Sequence, residues 1–141
     1  MKLSKRQLEA AGYIFERDRG IVLSDHELNI ISTCGVHDLD PAALEKTIAE
    51  GLSKSLYEKS SDRCLVYWAL GKRFNRALIP TFRKSLENEL AAQEPHAVYQ
   101  LLIALDNLGE PVFDPDRDGS VASHETQLNL RDAGMYLKNY E

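Results

Sequence analysis

"RCLVYWALGKRFNRALIPTFRKSLENEL", residues 63–90, is the stretch whose reading decides the fold. Its second half sets Leu78, Phe82, Leu86 and Leu90 four residues apart, with Arg83, Lys84, Glu87 and Asn88 turned to the other side. That spacing is one apolar face of an amphipathic helix. The first half, Cys64 to Leu70, is apolar nearly all round, which fits a helix covered on several sides. Gly71 supplies a stop between the two. No two-residue alternation competes here, so the stretch reads as helix, turn, helix.

Outward from this pair, helix starts recur. Ser4 with Gln7, and Ser24 with Glu27, have the spacing of a reciprocal cap, in which each side chain accepts from the other's backbone N–H. Asp40 precedes Pro41, which suits a first helical position, and Asn75 opens a fourth start. Leu3 and Leu8, Leu23 and Leu28, Leu39 and Leu44, Phe74 and Ile79 flank these caps where a hydrophobic staple would close. Weaker starts lie at Ser61-Asp62, Glu94-Pro95 and Ser123. The expected helices pair as 3–18 with 24–34, 40–58 with 61–73, and 76–92 with 95–108, with a final helix at 123–138.

The pairs echo one another. Ala69-Leu70-Gly71 returns 35 residues later as Ala104-Leu105 followed by Gly109, and a fainter copy ends its helix at Gly35. A lone helix pair cannot bury its own apolar face, so repeated pairs stack. The expectation is an all-α single domain over residues 1–141: a short right-handed solenoid of about three pairs, a loop at 109–122 and a capping helix.

The stretch "RCLVYWALGKRFNRALIPTF", with Arg near the start of one helix, Ala-Leu-Gly at its end and Pro in the next, resembles a HEAT-type repeat. The resemblance extends over residues 24–109, closest in this copy. The ending "LLIALDNLGEPVF…LNLRDAGMYL" is similar to short HEAT-like proteins of bacterial toxin–immunity loci. That likeness implies an immunity protein, not an enzyme, occluding the active site of a basic toxin domain such as a nuclease.

Composition bounds the alternatives. The formal net charge of −5 disfavours nucleic-acid binding, which needs a basic footprint, and with it a repair glycosylase's basic cleft. Cys34 and Cys64 sit in apolar runs and read as reduced buried thiols. The first twenty residues are charged throughout, with no leader or membrane span, so the expected location is cytoplasmic. Cys34 and His37 form half a zinc spacing without a second half. His26, His96 and His124 fall near helix starts and read as surface groups, and no glycine loop matches a phosphate cradle.

Two site readings remain. "DPDRDGSVASHE", 114–125, matches a calcium loop: Asp114, Asp116 and Asp118 at its first, third and fifth positions, Gly119 at the turn, the Ser120 carbonyl, and Glu125 at the twelfth. Against it, Pro115 and Arg117 stiffen the loop and add positive charge, and an ordinary polar turn explains the same residues. The alternative function is therefore a calcium-binding regulator. The other reading is a partner surface on the second helices: Asp25, Glu27, Asp62, Arg63, Tyr67, Gln100 and Asp106 do not fit a core. Tyr67 and Tyr99 have the chemistry of interface anchors, and equally of core residues with the hydroxyl at the edge.

Overall fold

The computed structural model describes residues 1–36, 39–117 and 126–140, and these are helical with no strand among them. The elements are α1 (Lys5–Asp18), α2 (Asp25–Thr33), α3 (Pro41–Ser53), α4 (Ser60–Gly71), a 3-10 turn (Arg76–Leu78), α5 (Ile79–Ala91), α6 (Pro95–Asn107) and α7 (Thr126–Lys138). The all-α class expected from the periodicity is the class observed. No described helix is long and apolar enough to cross a membrane.

The caps form where the sequence writes them. Ser4 Oγ accepts from Gln7 N at 3.1 Å while Gln7 Oε1 accepts from Ser4 N at 3.0 Å. Ser24 and Glu27 repeat this reciprocal pair, and Asp40 Oδ2 accepts from Ala43 N. Each such cap contributes about 1 kcal/mol. The staples are less regular: Leu3 and Leu8 are both buried, whereas Leu28, Leu39 and Phe74 stay exposed. Asn75 caps the 3-10 turn through Ala77 N, so α5 itself begins only at Ile79.

α3 stops at Ser53, short of the expected 58. Ser55 takes φ 58°, and the bonds Ser55 N→Leu52 O and Leu56 N→Gly51 O close a Schellman turn. Gln93, φ 57°, ends α5 in the same way. Neither is a glycine; α5 nonetheless ends within one residue of the expected 92, whereas the α3 stop is not written in the sequence.

The chain forms two compact units, Met1–Arg73 and Phe74–Glu141. The first is built around α1, which touches α2, α3 and α4, while α3 also packs on α4. Leu8, Ala11, Ile14 and Phe15 form its buried stripe, and Ile30, Ile31, Leu44, Ile48, Val66, Tyr67 and Leu70 are buried on the other three helices. A fully buried side chain of this size stabilises by roughly 1.5–3 kcal/mol. The stacking of α2 on α4 that a solenoid requires is not among this unit's principal contacts. In the second unit α5 packs on α6, and α7 lies against both.

Two glycines test this packing in opposite directions. At Gly12 an added Cβ would stand 2.3 Å from the Trp68 ring, so Gly12→Ala must displace the ring or part α1 from α4. The expected loss is about 1–3 kcal/mol of stability. At Gly134, inside α7, a Cβ meets nothing within 4 Å, and Gly134→Ala should stabilise by about 0.5–1 kcal/mol. Urea unfolding of the two variants beside the parent checks both signs.

Candidate functional site

The residues expected on a partner surface separate into two groups. Asp62 is buried at the start of α4, where the Lys5 ammonium donates to its carboxylate, and this hydrogen bond holds the carboxyl below its ordinary value. Arg63 Nη1 donates to the Tyr57 and Glu58 carbonyls at 3.2 and 2.6 Å, fixing the chain before α4. Tyr67 is 2% exposed. All three serve the packing of the first unit. Tyr67 thus takes the core alternative, because α4 turns its ring inward alongside Val66 and Leu70.

Asp25, Gln100 and Asp106 do face solvent, Gln100 partly. On α6, Asp106 follows the half-exposed Tyr99 and Ile103 at helical spacing, which places the three on one side of the helix. Glu27 is half-buried and engaged in its cap, whose bonds to Ser24 lower its carboxyl's pKa.

Of the carboxylate loop, Asp118, Gly119, Ser120 and Glu125 lie outside the described residues, as do His37 and His124. Asp114 and Asp116 are described. Asp114 Oδ1 accepts from Asp116 N at 2.9 Å, and its Oδ2 accepts from Arg131 Nη2 at 3.4 Å. Arg117, read from sequence as an intruder in a calcium loop, is itself the cation that ties this segment down. It donates to Asp132 Oδ2 at 2.8 Å and Asn129 Oδ1 at 2.9 Å on α7, with Arg117 and Asp132 side chains only 6% and 1% exposed. No group of three or more metal-ligating side chains converges among the described residues.

A second polar cluster seats the other turn of α7. Glu110 Oε1 accepts from Arg83 Nη2 at 2.6 Å and from the Tyr136 hydroxyl at 2.7 Å, while Arg83 Nε donates to the Tyr136 oxygen at 2.8 Å. The Arg83 guanidinium also stacks on the Tyr140 ring at 3.6 Å. The Tyr136 bond, then Arg83 and Arg76, hold the Glu110 carboxyl below its usual value, and burial raises the Tyr136 phenol.

No alternation or motif marked the feature that joins three helices of the first unit. On α1, Glu9, Tyr13 and Glu16 follow one another at helical spacing and are all half-buried. The Tyr13 hydroxyl donates to Glu9 Oε2 at 2.9 Å, and Trp68 of α4 meets the Tyr13 ring edge-on at 5.7 Å. Lys72 lies 5.4 Å from the Trp68 ring centroid and 4.0 Å from Glu16. Desolvation, the Glu9 hydrogen bond and the charges of Glu9, Glu27 and Glu16 push the Tyr13 phenol up to about 12. The signal in the sequence was Gly12, whose missing side chain makes room for Trp68.

Among the described residues, the nucleophilic and basic side chains are placed as follows. Lys5 Nζ is 2.8 Å from Ser61 Oγ, but it is the donor, and an ammonium bound to Asp62 has no lone pair to accept the Ser61 proton. Cys34 and Cys64 form no disulfide and are half-exposed rather than buried as expected, at the end of α2 and within α4. His26 and His96 are exposed in first turns. A shallow cavity of about 360 Å³ is lined by Ile14, Arg17, Asp18, Leu39 and Pro41. Its one carboxylate, Asp18, is paired with Arg73 at 3.1 Å.

Charge is divided unevenly. Residues 1–73 hold eleven acidic and eleven basic side chains, and residues 74–141 hold eleven acidic and six basic. The whole net charge of −5 therefore belongs to the second unit. Each of its four arginines, Arg76, Arg83, Arg117 and Arg131, is held by a carboxylate of the same unit. No protein-family model, curated protein or solved structure matches the chain.

The two α7 clusters make separate predictions. Arg117→Ala leaves Asp132 buried without its main cation and should cost about 3–5 kcal/mol in urea unfolding. Glu110 has a lowered folded-state pKa, so its stabilisation is complete above the unfolded carboxyl value of about 4.3 and is lost as pH falls through the folded one. Glu110→Gln should consequently lower the melting temperature at pH 7 yet flatten its decline between about pH 5 and 3, measured by circular dichroism.

Proposed function

We propose that this protein is a non-catalytic binding module for a basic protein partner, acting as an immunity factor that covers a toxin's active site. One observation carries the reading. The second unit holds all the excess negative charge, and its arginines are engaged within the unit, leaving Glu94, Asp106 and Asp116 with no ion pair among the described residues. A surface with this imbalance attracts a positively charged partner and speeds encounter, with an affinity that weakens as salt rises.

The resemblance of the sequence to HEAT-like immunity proteins supports the same reading. Of the residues first read as partner-binding, Gln100 and Asp106 lie on the surface of this acidic unit and stay in the proposed interface, while Asp25 is exposed and Glu27 half-buried on the first unit. Inhibition by occlusion requires only that the partner's cationic substrate cleft be filled by an acidic surface.

The experiment is to recover the partner by affinity capture, purify it, and measure binding by calorimetry at 50 and 300 mM salt. The expected result is a basic domain that binds at least tenfold more weakly at the higher salt and loses its activity in the complex. Asp106→Lys together with Glu94→Lys should weaken binding by a further tenfold or more without lowering the melting temperature. An affinity indifferent to both salt and these reversals would overturn the reading.

A further inference from the structure

The half-buried face of Glu9, Tyr13, Glu16, Glu27 and Trp68 is a surface with its own chemistry. Tyr13 and Trp68 form an edge-to-face aromatic pair, the class of side chain that dominates binding hot spots. Trp68 is the only tryptophan in the chain, and the absent side chain of Gly12 lets its ring settle against α1. Glu9, Glu27 and Glu16 bear on the Tyr13 hydroxyl, and Lys72 lies beside Glu16 and the Trp68 ring.

Lys72 identifies the ligand that such a face accepts. Its ammonium rests over the indole at 5.4 Å and beside Glu16 at 4.0 Å, a cation–π contact and a loose ion pair at once. Both separations are long, and the ammonium is held through a flexible stem that remains 31% exposed. Arg19 Nη1 adds a second cation at the rim, 3.4 Å from the Lys72 carbonyl, so three carboxylates stand against two positive charges and the excess on the face is negative. Glu27 is kept ionised by its cap, and Glu9 is directed at the phenol, so the negative charge is fixed in place.

We propose that this face of α1, α2 and α4 is a docking surface for a basic loop of a protein partner, receiving an arginine or lysine side chain against Trp68 in exchange for Lys72. The proposal rests on the reading that the partner is basic, and it locates a contact on the first unit in addition to the acidic second unit. An arriving guanidinium would stack on the indole and bond to Glu16, gaining more than the ammonium it displaces because it is planar and carries five donors.

The test uses the full chain and hexa-arginine peptide as probe, with hexa-glutamate as control. Trp68 fluorescence reports the face directly, because no other tryptophan contributes. Hexa-arginine should produce a saturable change at 50 mM salt, and hexa-glutamate none. Glu9→Gln, Glu16→Gln and Glu27→Gln in combination remove the charge while keeping the acceptor for Tyr13 and the reciprocal cap. This triple variant should melt near the parent temperature and bind hexa-arginine at least tenfold more weakly. Lys72→Gln, which removes the resident cation, should bind severalfold more tightly, an outcome that a purely structural role would not produce.

Equal affinity in all three proteins overturns the docking surface. Should binding persist in the triple variant and vanish instead on Glu94→Gln with Asp106→Asn, the basic-partner reading survives and this face does not take part. Absence of any hexa-arginine binding counts against both.

Discussion

The contact of Gly12 with Trp68 is the constraint on which the first unit turns. α1 is the helix that touches the other three, so the distance at which α4 can approach it sets the packing of the unit. A side chain at residue 12 would occupy the space of the indole ring. Glycine in a helix interior costs roughly 1 kcal/mol against alanine. That cost is offset by the burial of a large aromatic surface and by the edge-on contact with Tyr13. The same contact leaves Trp68 half-exposed beside Glu16 and Lys72, so one packing decision positions both the core of α1 and the chemistry of its outer face.

The second unit solves a different problem. Helix α7 buries Asn129, Asp132, Ala133 and Tyr136, a set with little apolar surface. Its seat is polar: Arg117 reaches Asp132 and Asn129 at one turn, and Glu110 and Arg83 reach Tyr136 at the next. Buried charges are tolerable only when each is paired and hydrogen-bonded, which these are. An interface of this kind gives less net stability than an apolar one, but it fixes register sharply, since a one-residue slip would strand Asp132. The arrangement also explains why so acidic a unit has no arginine to offer a ligand.

How much of this was legible follows from where each signal resides. Caps are local, and Ser4, Ser24 and Asp40 announce α1, α2 and α3 because the side chain and the N–H it satisfies lie three residues apart. The stop of α3 is also local but was silent, because Ser55 adopts a left-handed conformation that the sequence advertises only when glycine supplies it. Site residues depend on tertiary placement. Asp62 and Tyr67 looked like surface chemistry on a helix that was expected to line a groove. Lys5, 57 residues earlier, supplies the charge that Asp62 needs, and the inward turn of α4 supplies the burial of Tyr67. No linear pattern links Tyr13 to Trp68.

Arg117 shows the same limit from the opposite side. Alternating carboxylates in 114–118 point to a cation; of the two described, Asp114 pairs with Arg131, while Arg117 of the same segment pairs with Asp132 of α7. Asp114 has one oxygen engaged by the backbone of Asp116 and the other by Arg131. Arginine can fill such a place because its planar fork satisfies two acceptors at once, Asp132 and Asn129, and remains charged at every pH the protein meets. The described segment is thereby fastened to α7 by charge on the chain itself. For a protein whose proposed work is to present an acidic surface to a basic partner, fastening of that kind holds the segment that carries Asp114 and Asp116 against α7.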